Sequence, residues 1–196
     1  MIIQELEEFK KSIESLDNIK IIVGDGGLIS TPDWISTDID FLDVTDQNKW
    51  DFLFENKKIS NIFSEHVWEH LSIEDSEIAN KNIFKNLKIG GRFRIAVPDG
   101  YNPDPDYIEY VKPGGYGAGA HDHKRLYNYM SLKEDLEKIG FSVDLLEYWD
   151  ESGNFNFVEW DINLGKVIRS KRFDSRNENG KLNYTSLIVD AIKLQI

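Results

Sequence analysis

Residues 59–99 carry the pattern that most restricts the fold. Ile59-Ser-Asn-Ile-Phe-Ser64 is a short β-branched and aromatic run, read as a buried strand ending on Glu65 and His66. Residues 74–87 place Ile78, Ala79, Ile83, Phe84 and Leu87 at helical spacing. Gly90-Gly91 reads as a turn, and Arg92–Val97 as a second apolar strand closed by Pro98 and Asp99. A strand, a helix and a strand in that order predict two parallel neighbours joined by a crossover. In open sheets of this kind the ligand crevice lies beyond the carboxyl ends of the strands. Ser64, Glu65, His66 and Asp99 therefore stand where a site would form.

The flanking sequence extends the sheet. Residues 2–16 read as an amphipathic helix, with no signal-peptide core. Ile19–Val23 is a strand stopped by Gly24-Asp-Gly-Gly27. Trp34–Ile39 and Phe41–Val44 read as further short strands, followed by a helix over Asp46–Phe54. Asp99–Lys124 is rich in Pro and Gly and reads as a lid-like loop. Ser131 is expected to cap a helix ending at Gly140, with Glu134 completing a capping box. Strands are expected at Phe141–Trp149, Phe155–Asp161 and Val167–Phe173, and a strand or a helix at Ser186–Leu194. The expected fold is α/β: a doubly wound, mostly parallel sheet with an antiparallel C-terminal edge. One domain is expected over 1–196, with its core at 19–149, a lid at 99–124 and a C-terminal extension at 150–196.

Charge and composition exclude several classes. A net charge of −12 disfavours nucleic acid and anionic membranes as partners. The run Lys166–Arg176 is the nearest thing to a basic patch and reads as a solvated strand or loop. The absence of cysteine excludes a disulfide framework, thiol catalysis and cysteine-ligated metals, and fits a cytoplasmic protein.

Strand tips supply the candidate ligands. Glycines after a first strand let the backbone turn sharply beside a ligand. A dinucleotide fingerprint would need a third glycine at position 29, where Ile29 stands. Asp38 can accept both hydroxyls of a ribose, and Asp43 an adenine amino group. His121-Asp-His123, in the glycine-rich loop, suits a metal or a general base. His66-Val-Trp-Glu69-His70 matches H-x-x-E-H, a zinc-hydrolase pattern that belongs inside a helix. Its start at a strand tip argues against that reading, so no metal site is expected.

These segments together resemble the class I S-adenosylmethionine-dependent methyltransferases, within them the type 11-like domains with a Ser-x-His-Val-x-Glu-His-Leu signature. Ile22–Gly27, Pro32–Asp38, Phe63–Leu71 and Leu87–Asp99 carry the resemblance, which spans about residues 19–149. It implies a Rossmann-like fold, S-adenosyl-L-methionine as cofactor and methyl transfer to a small-molecule acceptor; the acids and aromatics of the 99–124 loop, among them Tyr101, Asp104, Asp106, Tyr107 and Tyr116, favour a sugar or other polar metabolite. By position, Gly24 and Gly26 would pass beneath the cofactor and Asp38 would hold its ribose, while Asp25, where a small residue is common, would either supply an anion to the cofactor or crowd it. Asp43 and Val44 would contact adenine, and Ser64, Glu65 and His66 would face the sulfonium. His66 is the first choice of general base, followed by His121, His123 and Asp99. Ile22 replaces the acidic residue common two places before the first glycine. A non-catalytic nucleoside-binding protein on the same fold is the alternative, and a zinc hydrolase using His66, Glu69 and His70 a third reading.

Overall fold

A seven-stranded sheet organises the chain, in the order β2-β1-β3-β4-β7-β5-β6. The computed structural model describes residues 2–26, 33–55 and 57–195. Gly27, Ile29 and Pro32, which figured in the sequence reading, lie outside the described residues. The strands are β1 (Ile19–Val23), β2 (Ile35–Thr37), β3 (Ile59–Glu65), β4 (Leu87–Pro98), β5 (Ser142–Trp149), β6 (Phe155–Phe157) and β7 (Ser186–Ile192). β2, β1, β3 and β4 run parallel. β7 pairs antiparallel with both β4 and β5, and β6 pairs antiparallel with β5 at the edge.

The helices are α1 (Ile2–Glu14), α2 (Gln47–Phe54), α3 (Ile73–Asn86), α4 (Pro105–Val111) and α5 (Tyr129–Ile139). Among the described residues, no helix is long and apolar enough to cross a membrane. Asp46 caps α2 by accepting from the Asn48 and Lys49 amides, and Ser72 caps α3 by accepting from Asp75.

The two faces of the sheet are covered in different ways. On one face, Ile21, Val23, Phe93, Ile95, Val97, Leu187 and Val189 pack against α1, α2, α3 and α5. On the other, Ile22, Phe63, Ala96 and Ile188 meet Trp160, Val167 and Phe173, which belong to an irregular stretch whose helical content is one short turn at Ile162–Leu164. Period-two alternation along each strand sorts the residues between the faces. The second face also carries ionic groups. Arg94, fully buried, makes two bonds of 2.8 Å to the Asp190 carboxylate and two of 2.7 Å to the Asp161 and Gly165 carbonyls. Glu147 accepts from the Lys171 amide at 2.7 Å and from the Trp160 indole at 2.9 Å.

Several sequence expectations need correction. Phe41–Val44 is no strand: the Phe41 and Leu42 amides both donate to the Asp38 carbonyl, so the chain curls back after β2. Gly90-Gly91 lies inside β4. Gly90 has φ +77°, exchanges backbone bonds with the end of β7 together with Gly91, and accommodates a bulge in the pairing with β3. The cap of α5 is Asn128, and Ser131 is its reciprocal partner three residues on; the capping box therefore starts earlier than Ser131-Glu134. Asp99–Lys124 is no structureless loop, since it contains α4 and a short helical turn at Ala120–Asp122. Val167–Phe173 forms turns, because Glu65 and Glu147 hold its amides in place of a neighbouring strand.

Candidate functional site

Parallel β1, β2, β3 and β4 end on one rim, delivering Gly24, Asp38, His66 and Asp99. A crevice of about 450 Å³ opens there, lined by Gly24, Gly26, Asp38, Asp43, Val44 and His66 among others. Gly24 has φ +69°, and a Cβ there would lie 2.4 Å from a Val67 methyl. Glycine is thus required both by conformation and by the close passage of the residue after His66. Asp38 is exposed, and one of its oxygens accepts the Ile39 amide at 2.7 Å. Among the described residues no partner takes its other oxygen, and the side chain lines the crevice. One oxygen of Asp43 holds the Thr45 amide and hydroxyl, at 2.8 and 2.7 Å, and the other remains for a ligand. The Val44 carbonyl is turned inward to Trp50 and Asn82, at 3.1 and 3.0 Å.

Other expected ligands are placed elsewhere. Alternation sends Ser64 to the helix face, where it is fully buried with an unpartnered hydroxyl. Glu65 faces the opposite way and accepts the Ile168 and Arg169 amides, at 2.9 and 2.6 Å. It lines a neighbouring cavity with Asp25, so neither residue faces the glycine-aspartate crevice. Asp99 is buried, with its two oxygens on the Tyr101 and Trp149 amides at 3.0 and 2.7 Å. Burial raises its pKa to about 6 against those two bonds. Its role is to tie the end of β4 to β5, and no oxygen is left to act on an acceptor. His121 lies exposed on the Ala120–Asp122 turn.

His66 stands at the junction of three cavities and has φ +58°. Its Nε2 lies 2.9 Å from the Ser186 hydroxyl, and its Nδ1 lies 3.2 Å from Glu69 Oε1. The Ser186 hydroxyl on Nε2 and the Glu69 carboxylate beside Nδ1 together fix the ring's orientation. The H-x-x-E-H stretch is not one helix. Only Trp68–His70 forms a helical turn, so His66 and His70 do not stack as zinc ligands.

Beyond His66 lies a second cavity of about 380 Å³, whose lining includes Glu69, His70, His123, Arg169, Arg176 and Tyr184. The His123 side chain is 6% exposed, and its Nδ1 donates to the Val111 carbonyl at 2.6 Å, which leaves Nε2 as acceptor. The Arg176 guanidinium stacks 3.5 Å from the Tyr184 ring centre and pairs with Asp174. Sequence reasoning missed Arg169, Arg176, Tyr184 and Ser186. They come from the C-terminal stretch, and nothing local marks them as neighbours of His66.

No protein-family model matches the chain, and no curated protein matches it. Solved structures do. A Haloferax volcanii chain solved in complex with the Trm112 methyltransferase activator is 12% identical, with a TM-score of 0.50 over 97% of this chain and 89% of that one. The chain has the class I methyltransferase fold. Two further matches have lower TM-scores. An S-adenosylmethionine-dependent methyltransferase from Archaeoglobus fulgidus is 16% identical, at 0.47 over 98% of this chain and 93% of that one. Phosphoethanolamine N-methyltransferase 2 of Haemonchus contortus, solved with S-adenosyl-L-methionine, is 14% identical, at 0.46 over 98% and 53%. In this methyltransferase fold the crevice sits over β1 and β2, and the second cavity sits beyond β3.

Proposed function

We propose that the protein transfers a methyl group from S-adenosyl-L-methionine to a polar small molecule, a sugar or comparable metabolite. The observation that carries this reading is the convergence of Gly24, Gly26, Asp38, Asp43 and His66 on one crevice at the carboxyl rim of the sheet. The residues fit the cofactor: the glycine turn leaves no room for a side chain, and two aspartates each keep an oxygen for a ligand. Asp38 would accept the ribose hydroxyls. Asp43 and the Val44 amide would meet the adenine edge. When bound, the cofactor supplies a methyl group already activated on sulfonium. The chain's own task is then to align an acceptor and exclude water. The second cavity, with Tyr184, Arg176 and His123, is suited to the acceptor, and His123 Nε2 offers the lone pair turned toward it.

Calorimetric titration tests this. The protein should bind both S-adenosylmethionine and its demethylated product. Asp38→Ala should weaken both about 10- to 100-fold, the loss of hydrogen bonds to a charged acceptor at ~1.5–3 kcal/mol. Absence of binding to either at millimolar concentration overturns the reading. The anchoring of His66 Nε2 on Ser186, with Nδ1 turned to Glu69, favours a second reading, a non-catalytic binder of the same ligand. Turnover on any acceptor removes it.

A further inference from the structure

Glu69 is a fully buried carboxylate on the wall of the second cavity, and despite its burial the imidazoles of His66 and His70 hold its carboxyl below the ordinary glutamate value. Its side chain is 1% exposed, and neither oxygen has a hydrogen-bond partner. His66 Nδ1 approaches Oε1 to 3.2 Å without hydrogen-bond alignment, and His123 Nε2 lies 4.0 Å from the same oxygen. A buried carboxylate in that state is costly unless something charged completes it. His70 stands beside it, its ring edge-on to that of His123 with centres 4.7 Å apart. One ligand atom from each of Glu69, His70 and His123 lies within 4.8 Å of the other two.

Both imidazoles are oriented as metal-binding imidazoles usually are. His123 Nδ1 donates to the Val111 carbonyl, and His70 Nδ1 faces the Asp122 carboxylate at 3.3 Å. An oxygen acceptor on one ring nitrogen fixes the tautomer and leaves the other nitrogen as a ligand. We propose that Glu69, His70 and His123 bind one divalent transition cation of the zinc class. Two imidazoles and one carboxylate suit zinc or ferrous iron, whereas magnesium and calcium prefer all-oxygen shells. With ligand bonds of about 2.0–2.2 Å, the three atoms need to draw together by roughly an ångström. The three protein ligands leave further positions open to the cavity of about 380 Å³ that all three line. If the proposed methyl transfer holds, a cation there binds an acceptor oxygen beside the cofactor crevice, since His70 lines both. The His123 lone pair then holds metal in place of a proton. The cation site itself does not depend on that reaction.

The test uses tag-free protein stripped with a chelator, titrated with zinc and assayed by elemental analysis after gel filtration. One zinc per chain is expected. His70→Ala with His123→Ala should weaken binding at least a hundredfold, whereas His121→Ala, which alters an exposed histidine nearby, should leave it unchanged. Thermal melts followed by circular dichroism check that each variant is folded. Cobalt(II) added to the unmutated protein gives an independent readout: visible absorption of a four- or five-coordinate site supports the proposal. Zinc retained at full affinity by the double variant, or no zinc above the blank, overturns it. S-adenosylmethionine titration of the stripped protein separates this outcome from failure of the methyltransferase reading.

Discussion

The two faces of the sheet solve the same problem with different chemistry. On the helix face, the covering chain satisfies its own backbone through helical hydrogen bonds, so the strands present mainly apolar side chains such as Ile21, Phe93 and Val189, with Ser64 a small polar exception. On the opposite face, the covering chain around residues 157–173 is irregular, and its amides and carbonyls need partners from outside. The strands supply them: Arg94 takes two carbonyls, and Glu65 and Glu147 take three amides between them. Buried ionic groups on a strand therefore signal here what kind of chain lies above the sheet.

Three measurements would break or sharpen this contrast. The largest effect is expected from Arg94→Met, which leaves the Asp161 and Gly165 carbonyls unpaired and strips two hydrogen bonds from buried Asp190. Urea unfolding should register a loss of about 3–5 kcal/mol, as for other broken buried ion pairs. A loss under one kcal/mol would mean that packing alone holds the irregular segment.

Asp99 offers an intermediate case, since its carboxylate has amide donors and no cation within its clamp. Its pKa rises from 3.8 to about 6 on folding, so the folded state favours the protonated form. The stability it contributes is full below pH 4 and falls as pH rises to 6. The shift of about two units corresponds to about 3 kcal/mol. Unfolding free energies of the unmutated protein and Asp99→Asn, measured from pH 4 to 7, should diverge by that order, with the unmutated protein losing ground as pH rises. Parallel curves would place the carboxylate in a wetter site. The smallest effect belongs to Ile83→Val on the helix face, where only a methylene is removed from full burial. A loss of about 0.5–1.5 kcal/mol is expected, with no pH dependence.

This contrast also explains what the sequence disclosed. β1, β3 and α3 were readable because β-branched runs and helical spacing are local signals that the packing on the helix face reinforces. Val167–Phe173 was misread as a strand because alternation is no guide where Glu65 and Glu147 dictate the path from a hundred and from more than twenty residues away. Glu65 was taken for a cofactor ligand for the same reason: its position at a strand tip was right, and its face was wrong. Asp38 and the glycine turn were legible because strand tips are fixed by the sheet alone, whereas Asp43 was expected at the tip of a strand that does not form and reaches the crevice on the turn that follows β2. The fixing of His66 by Ser186 was not, since that contact joins residues far apart in the chain.

β7 sits between β4 and β5, although its residues follow both in the chain. During synthesis, β4 must wait with a bare edge of amides and carbonyls until residues 186–192 emerge. Ser186, the first residue of that strand, brings the hydroxyl that fixes His66. A nascent chain halted short of it would hold both aspartates of the crevice and an imidazole without its anchor. The wall between the two cavities is set only once β7 has paired.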